Sequence, residues 1–115
     1  MGPETKLKIR LMPKLRAIGT SWWEKIQQRA IKGTPDLLGC LPCTYVCSCG
    51  KKFSYGAFVA LELKSSKGRL SALQSKVLQD IQRAGGFAQV VSPENEKEVI
   101  DVLEEFTQSG PVDDL

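Results

Sequence analysis

Ala57-Phe58-Val59-Ala60-Leu61-Glu62-Leu63-Lys64 is the stretch on which the fold turns. Val59, Leu61 and Leu63 alternate with Ala60, Glu62 and Lys64, so a period of two predicts a strand with one fully apolar face. Glu62 and Lys64 share the other face, about 6–7 Å apart along the strand. Ser65 to Arg69 reads as a short polar loop. The period then lengthens: Leu70, Leu73, Val77, Ile81 and Ala84 mark the buried stripe of a helix that Gly85-Gly86 ends. Phe87 to Val91 is a further apolar strand. Strand, helix and strand from Ala57 to Val91 predict a right-handed crossover.

Upstream, Gly33-Thr34-Pro35 is a break, and Asp36-Leu37-Leu38 starts a short strand. Ser21 to about Ile31 reads as a helix: Ser21 with Glu24 fits a capping box, and Trp22, Ile26 and Ala30 recur at four-residue spacing. Lys6, Lys8 and Arg10 alternate with Leu7, Ile9 and Leu11, which suggests a basic strand or extended arm that Pro13 limits. Downstream, Ser92 and Pro93 open a last helix whose inner face is Val99, Val102, Leu103 and Phe106. The expected architecture is α/β, a small mixed sheet flanked by helices. It divides into a basic arm (1–19), one domain (20–108) carrying a Cys-rich hairpin insertion (40–55), and an acidic tail (109–115).

A chain of 115 residues fits one modest core. It has no run of about 18 apolar residues, so no membrane span is expected. It shows no secretory signal pattern, so an intracellular location is expected: cytoplasmic, or the host-cell cytoplasm if a phage encodes it. His is absent, which excludes His-dependent nucleases and proteases. The net charge of +3 is polarised: residues 1–76 carry 14 Lys/Arg against 4 Asp/Glu, and residues 77–115 carry 2 against 9. A polyanion would be drawn to the first part.

Asp36, Glu62 and Lys64 lie in that basic part. If their strands pair, the two carboxylates converge on one hard cation, with the Leu63 main-chain carbonyl as a further oxygen. Such an ion activates water and offsets charge on phosphorus, and Lys64 would orient or deprotonate the water or act as a cation. Gln74 sits on the next helix beside Leu78. Lys67 and Arg69 in the loop, together with Lys32, Lys51 and Lys52, are the candidate phosphate contacts.

Gly33-Thr34-Pro35-Asp36, Glu62-Leu63-Lys64 and Leu73-Gln74 resemble, in this order and spacing, the PD-(D/E)XK nuclease superfamily. Within it they are most similar to stand-alone, phage-type VRR-NUC domains, whose final core strand the segment from Ala84 to Val91 also resembles. The likeness covers residues 20–92. It implies a restriction-endonuclease-like core and Mg²⁺- or Mn²⁺-dependent cleavage of DNA. Metal ligation falls on Asp36 and Glu62, catalytic assistance on Lys64 and support on Gln74. It further implies a homodimer that cuts branched DNA such as four-way junctions. Some members add an acid from the first helix, where Glu24 is the candidate and a capping role is the simpler account.

Cys40, Cys43, Cys47 and Cys49 form a C-x2-C-x3-C-x-C pattern. Four thiolates suit a closed, structural Zn²⁺ site, but the usual pattern is two C-x2-C pairs further apart. Zinc and free or redox-labile thiols both stay open. Tyr45, Lys51 and Lys52 could make this insertion a DNA-contacting finger; a solvated tip is the plainer account. The competing functions are a non-catalytic nucleic-acid-binding module, with or without zinc, and a small zinc-braced interaction protein.

Overall fold

A computed structural model describes residues 2–26 and 33–108. Its helices are α1 (Pro3–Arg16), α2 (Ala72–Arg83) and α3 (Glu96–Gln108). Its strands are β1 (Trp22–Lys25), β2 (Leu37–Val46), β3 (Lys52–Leu63) and β4 (Phe87–Val91). They form one mixed sheet in the order β1-β2-β3-β4, with β1/β2 and β2/β3 antiparallel and β3/β4 parallel. Among the described residues, no helix is long and apolar enough to cross a membrane.

The residues expected as an arm form a core helix instead. Leu7, Leu11 and Leu15 are spaced by four, and with Met12 they are buried, whereas Ile9, an apolar position in the period-two reading, is 56% exposed. Alternation over six residues fits both periods; Met12, buried at an even position beside Leu11 and Leu15, breaks the alternation and fits the helix. Pro3 starts the helix and Pro13 lies inside it. Arg10 and Lys14 do not wait for a polyanion: both pair with the buried carboxylate of Glu96 at the start of α3, at 2.8 and 3.0 Å.

The helix expected from Ser21 is also corrected. Trp22–Lys25 is a strand, and residues 27–32, which include the rest of that expected helix, lie outside the described residues, as does the tail from 109. Ser21 caps nothing: its hydroxyl donates to the Leu15 carbonyl (3.1 Å) and accepts from Trp23 Nε1 (2.9 Å). Trp23 is buried across the ladder from Gly39, where a Cβ would overlap its ring. Bulk on β1 thus demands a glycine on β2.

The strand β2 is longer than Asp36–Leu38 suggested, and the Cys-rich insertion is the far part of a β2/β3 hairpin. On one sheet face α1 and α3 bury Leu37, Leu41, Val59, Leu61, Leu63 and Val91. On the other, Leu78 and Ile81 of α2, with Leu70 just before it, pack against Ala60, Ala88 and Val90. The α2 stripe is rotated from the expected one, since Leu78 is its buried residue and Leu73 is 44% exposed. In α3, Val99 and Leu103 are buried, and Phe106 packs edge-on against Phe87.

Candidate active site

The carboxyl end of β3 carries the candidate chemistry because both of its faces are covered there. Parity along the strand sends Glu62, like Ala60, to the α2 face, where it is 2% exposed. The capping box of α2 reaches it. Gln74 Oε1 accepts from the Ser71 N–H (2.9 Å), and Gln74 Nε2 donates to Glu62 Oε2 (3.1 Å). One amide therefore closes the helix start and aims the carboxylate. Lys64 Nζ stands 3.9 Å from the same oxygen, on a side chain 15% exposed.

Asp36 arrives from the other side. Gly33 turns the chain with φ +85°, a conformation that favours glycine, against Leu73 and Val77 of α2. Pro35 is buried after it. The Ile26 N–H holds the Asp36 carbonyl (2.8 Å), and the Leu63 N–H donates to Asp36 Oδ2 (2.7 Å). The Leu63 contact to the site is thus its N–H on Asp36.

Glu62 Oε1 is buried and has no hydrogen-bond partner. An ionised carboxylate rarely tolerates this. Burial, and then the negative charge and nearness of the Asp36 carboxylate, push the Glu62 carboxyl up to about 8, while Lys64 pulls it back only in part. Glu4 adds a further upward push. It lies at the start of α1 and, with Thr5, Lys8, Asp36 and Leu63, lines a cavity of about 110 Å³. The first-helix acid at this site is therefore Glu4; Glu24 lies on β1 and is exposed. Glu4 went unseen because its segment read as an extended arm. Read as a helix, Glu4 and Lys8 fall one turn apart on one side.

These residues fit a divalent cation in their donor chemistry: two carboxylates, Asp36 and Glu62, the second with a buried oxygen that lacks a hydrogen-bond partner. Among the described residues, no group of three or more His, Cys, Asp and Glu side chains is gathered as a metal cage. The cysteines are dispersed. Cys47 and Cys49 are bonded to each other in the hairpin turn, and Cys40 and Cys43 are free, one exposed and one buried on alternate faces of β2. A four-thiolate zinc site is not assembled in this arrangement.

Lys67 and Arg69 are exposed in the loop after Lys64. Lys51 and Lys52 are exposed at the hairpin tip, about 33 Å along β3 from Glu62. Lys32 lies outside the described residues. No family model, curated protein or solved structure matches this chain.

Proposed function

We propose that the protein is a divalent-metal-dependent DNA endonuclease with a restriction-endonuclease-like core, selective for branched DNA such as four-way junctions. One observation carries the reading: a fully buried glutamate with an unpartnered oxygen beside a second carboxylate, both anchored by neutral donors. Repulsion between Asp36 and Glu62 is only partly offset by the chain's own cation, since Lys64 stands 3.9 Å away. A site that stores negative charge in this way is suited to a cation that arrives with its substrate.

Asp36 and Glu62 would hold Mg²⁺ or Mn²⁺. When bound, the ion would supply positive charge against the scissile phosphate and make water more acidic. The chain's residues do the positioning. The Leu63 N–H fixes Asp36 and the Gln74 amide fixes Glu62, both from rigid elements. Lys64, on the same side of β3 as Glu62, offers a cation to the developing charge on phosphate. Lys67 and Arg69 follow it in the chain and would hold neighbouring phosphates.

The test is cleavage of linear, flap, splayed and four-way DNA with Mg²⁺, Mn²⁺ or EDTA. Metal-dependent products are expected, lost in Asp36→Asn and Glu62→Gln while DNA binding persists. Binding without cleavage of any substrate in either metal would instead favour a non-catalytic nucleic-acid-binding module.

A further inference from the structure

The other half of β3 has a different character. One side of the strand is paired with β2 throughout, but β4 begins at Phe87 opposite Val59 and pairs only as far as Leu63. From Lys52 to Phe58 the outer edge is bare among the described residues. The strand β2 has a bare stretch too, beyond Cys40, where β1 ends. That stretch carries Pro42, which has no N–H to offer an incoming strand. Between Phe53 and Phe58, β3 has neither proline nor charge, two of the devices that close an edge to further strands.

The bare edge is flanked by a hollow on each face. One, of about 470 Å³, lies towards α2 between Phe58, Ile81, Ala84 and Gly86. The other, of about 280 Å³, lies towards α3 between Ala57, Cys43, Phe87 and Phe106. An added strand sends alternate side chains to opposite faces, so an unpaired edge between two apolar hollows is shaped to receive one.

We propose that this edge binds a second copy of the chain, the two Lys52–Phe58 segments pairing antiparallel about a two-fold axis at Tyr55. The segment is self-complementary in that register. Phe53 faces Ala57 of the second copy, Ser54 faces Gly56, and Tyr55 faces its own counterpart. Facing residues lie on the same side of the joined sheet, so Phe53 enters the α3-side hollow of the other copy, beside Ala57 and Phe106. Phe53, Tyr55 and Phe58 are 49%, 55% and 46% exposed in the single chain. A two-fold contact covers all three twice. Lys52 faces Phe58, which holds the two basic tips at opposite ends of the paired segment and keeps like charges apart. The proposal does not depend on what the carboxylates at the far end of β3 do.

The mass of the full chain in solution tests it. At tens of micromolar the wild type is expected at about 25 kDa, twice 12.7 kDa. Tyr55→Lys and Tyr55→Glu, each substituted at an exposed position, set like charges across the axis. Each is expected to be monomeric alone, with the dissociation constant raised at least about tenfold. Mixed together, they are expected to form a heterodimer, since the axis then pairs opposite charges. A monomeric wild type overturns the proposal, and so does a dimer that neither substitution weakens. Two folded monomeric variants that fail to pair on mixing overturn it as well. A monomeric wild type whose Tyr55→Ala variant loses DNA affinity would assign the aromatic face to nucleic acid and likewise overturn it.

Discussion

The two halves of β3 are continuous in the chain and opposite in physics. At the carboxyl end, helices cover both faces and Glu62 is 2% exposed; towards the hairpin tip α2 and α3 leave an open hollow on each face, and Tyr55 is 55% exposed. The first half holds a carboxyl group in a place where charge is costly, and fixes it with one hydrogen bond from Gln74 beside the Lys64 cation. The second spends its aromatics on solvent. A strand of twelve residues can do both because each half is finished by different neighbours: β4 and α2 at one end, β2 alone at the other.

The largest expected effect is at the covered half. Asp36→Asn and Glu62→Gln should each lower metal-dependent cleavage by about a thousandfold or more, roughly 4 kcal/mol of barrier. Single-turnover rates on four-way DNA measure it. Retention of rate in either variant would remove the carboxylate pair from the chemistry and dissolve the contrast between the halves.

Stability should divide along the same line. Leu7→Ala, in the helix that packs over β3, is expected to lose about 2–5 kcal/mol, as large core truncations do. Phe53→Ala, on the uncovered ribbon, should lose well under half of that when urea unfolding is run below any dimerising concentration. Equal losses would mean that the ribbon is as much core as the site is.

This contrast also explains what could be read from residues alone. The segment from Ala57 to Val91 is legible in its order of elements, although the buried stripe of α2 is rotated to Leu78, and Glu62, Lys64 and Gln74 come together as their spacing suggests. Both ends of the chain's first third were misread for local reasons. Lys6 to Leu11 satisfies two periods at once, and only the burial of Met12 and the exposure of Ile9, both set by tertiary packing, separate them. Ser21 and Glu24 imitate a capping box, but burial of Trp23 on Gly39 outweighs helix propensity there. Glu4 was lost with the first of these errors, since no local pattern marks an acid that meets its partners only across the fold.

A smaller effect follows from Glu62 in the metal-free protein. Its folded-state carboxyl is raised to about 8 from an ordinary value of 4.5. A raised group contributes stability that is fully present below its unfolded value and lost as pH rises through the folded one. The chelated protein should therefore lose stability between about pH 5 and 9, on the order of a few kcal/mol. Mn²⁺ should reverse this most at the alkaline end, because the cation binds the ionised pair. Thermal melts with EDTA and with Mn²⁺ across that window read both trends, and Glu62→Gln should flatten them.

The smallest effect tests how the covered half is held. Gln74 accepts from Ser71 and donates to Glu62 with one amide, so two substitutions separate its tasks. Gln74→Met removes both and should lower stability by about 1 kcal/mol through the lost cap. Gln74→Glu keeps an acceptor for the Ser71 N–H but turns a third carboxylate towards Glu62. It should hold the cap, raise the Glu62 carboxyl further and make folding depend more steeply on Mn²⁺. Cleavage should fall in both variants, by about tenfold to a hundredfold if the amide orients a ligand, as partners behind metal ligands usually do. If the two variants melt alike in EDTA and cut alike in Mn²⁺, the amide serves the helix alone, and Glu62 is held by the packing of α2 on β3.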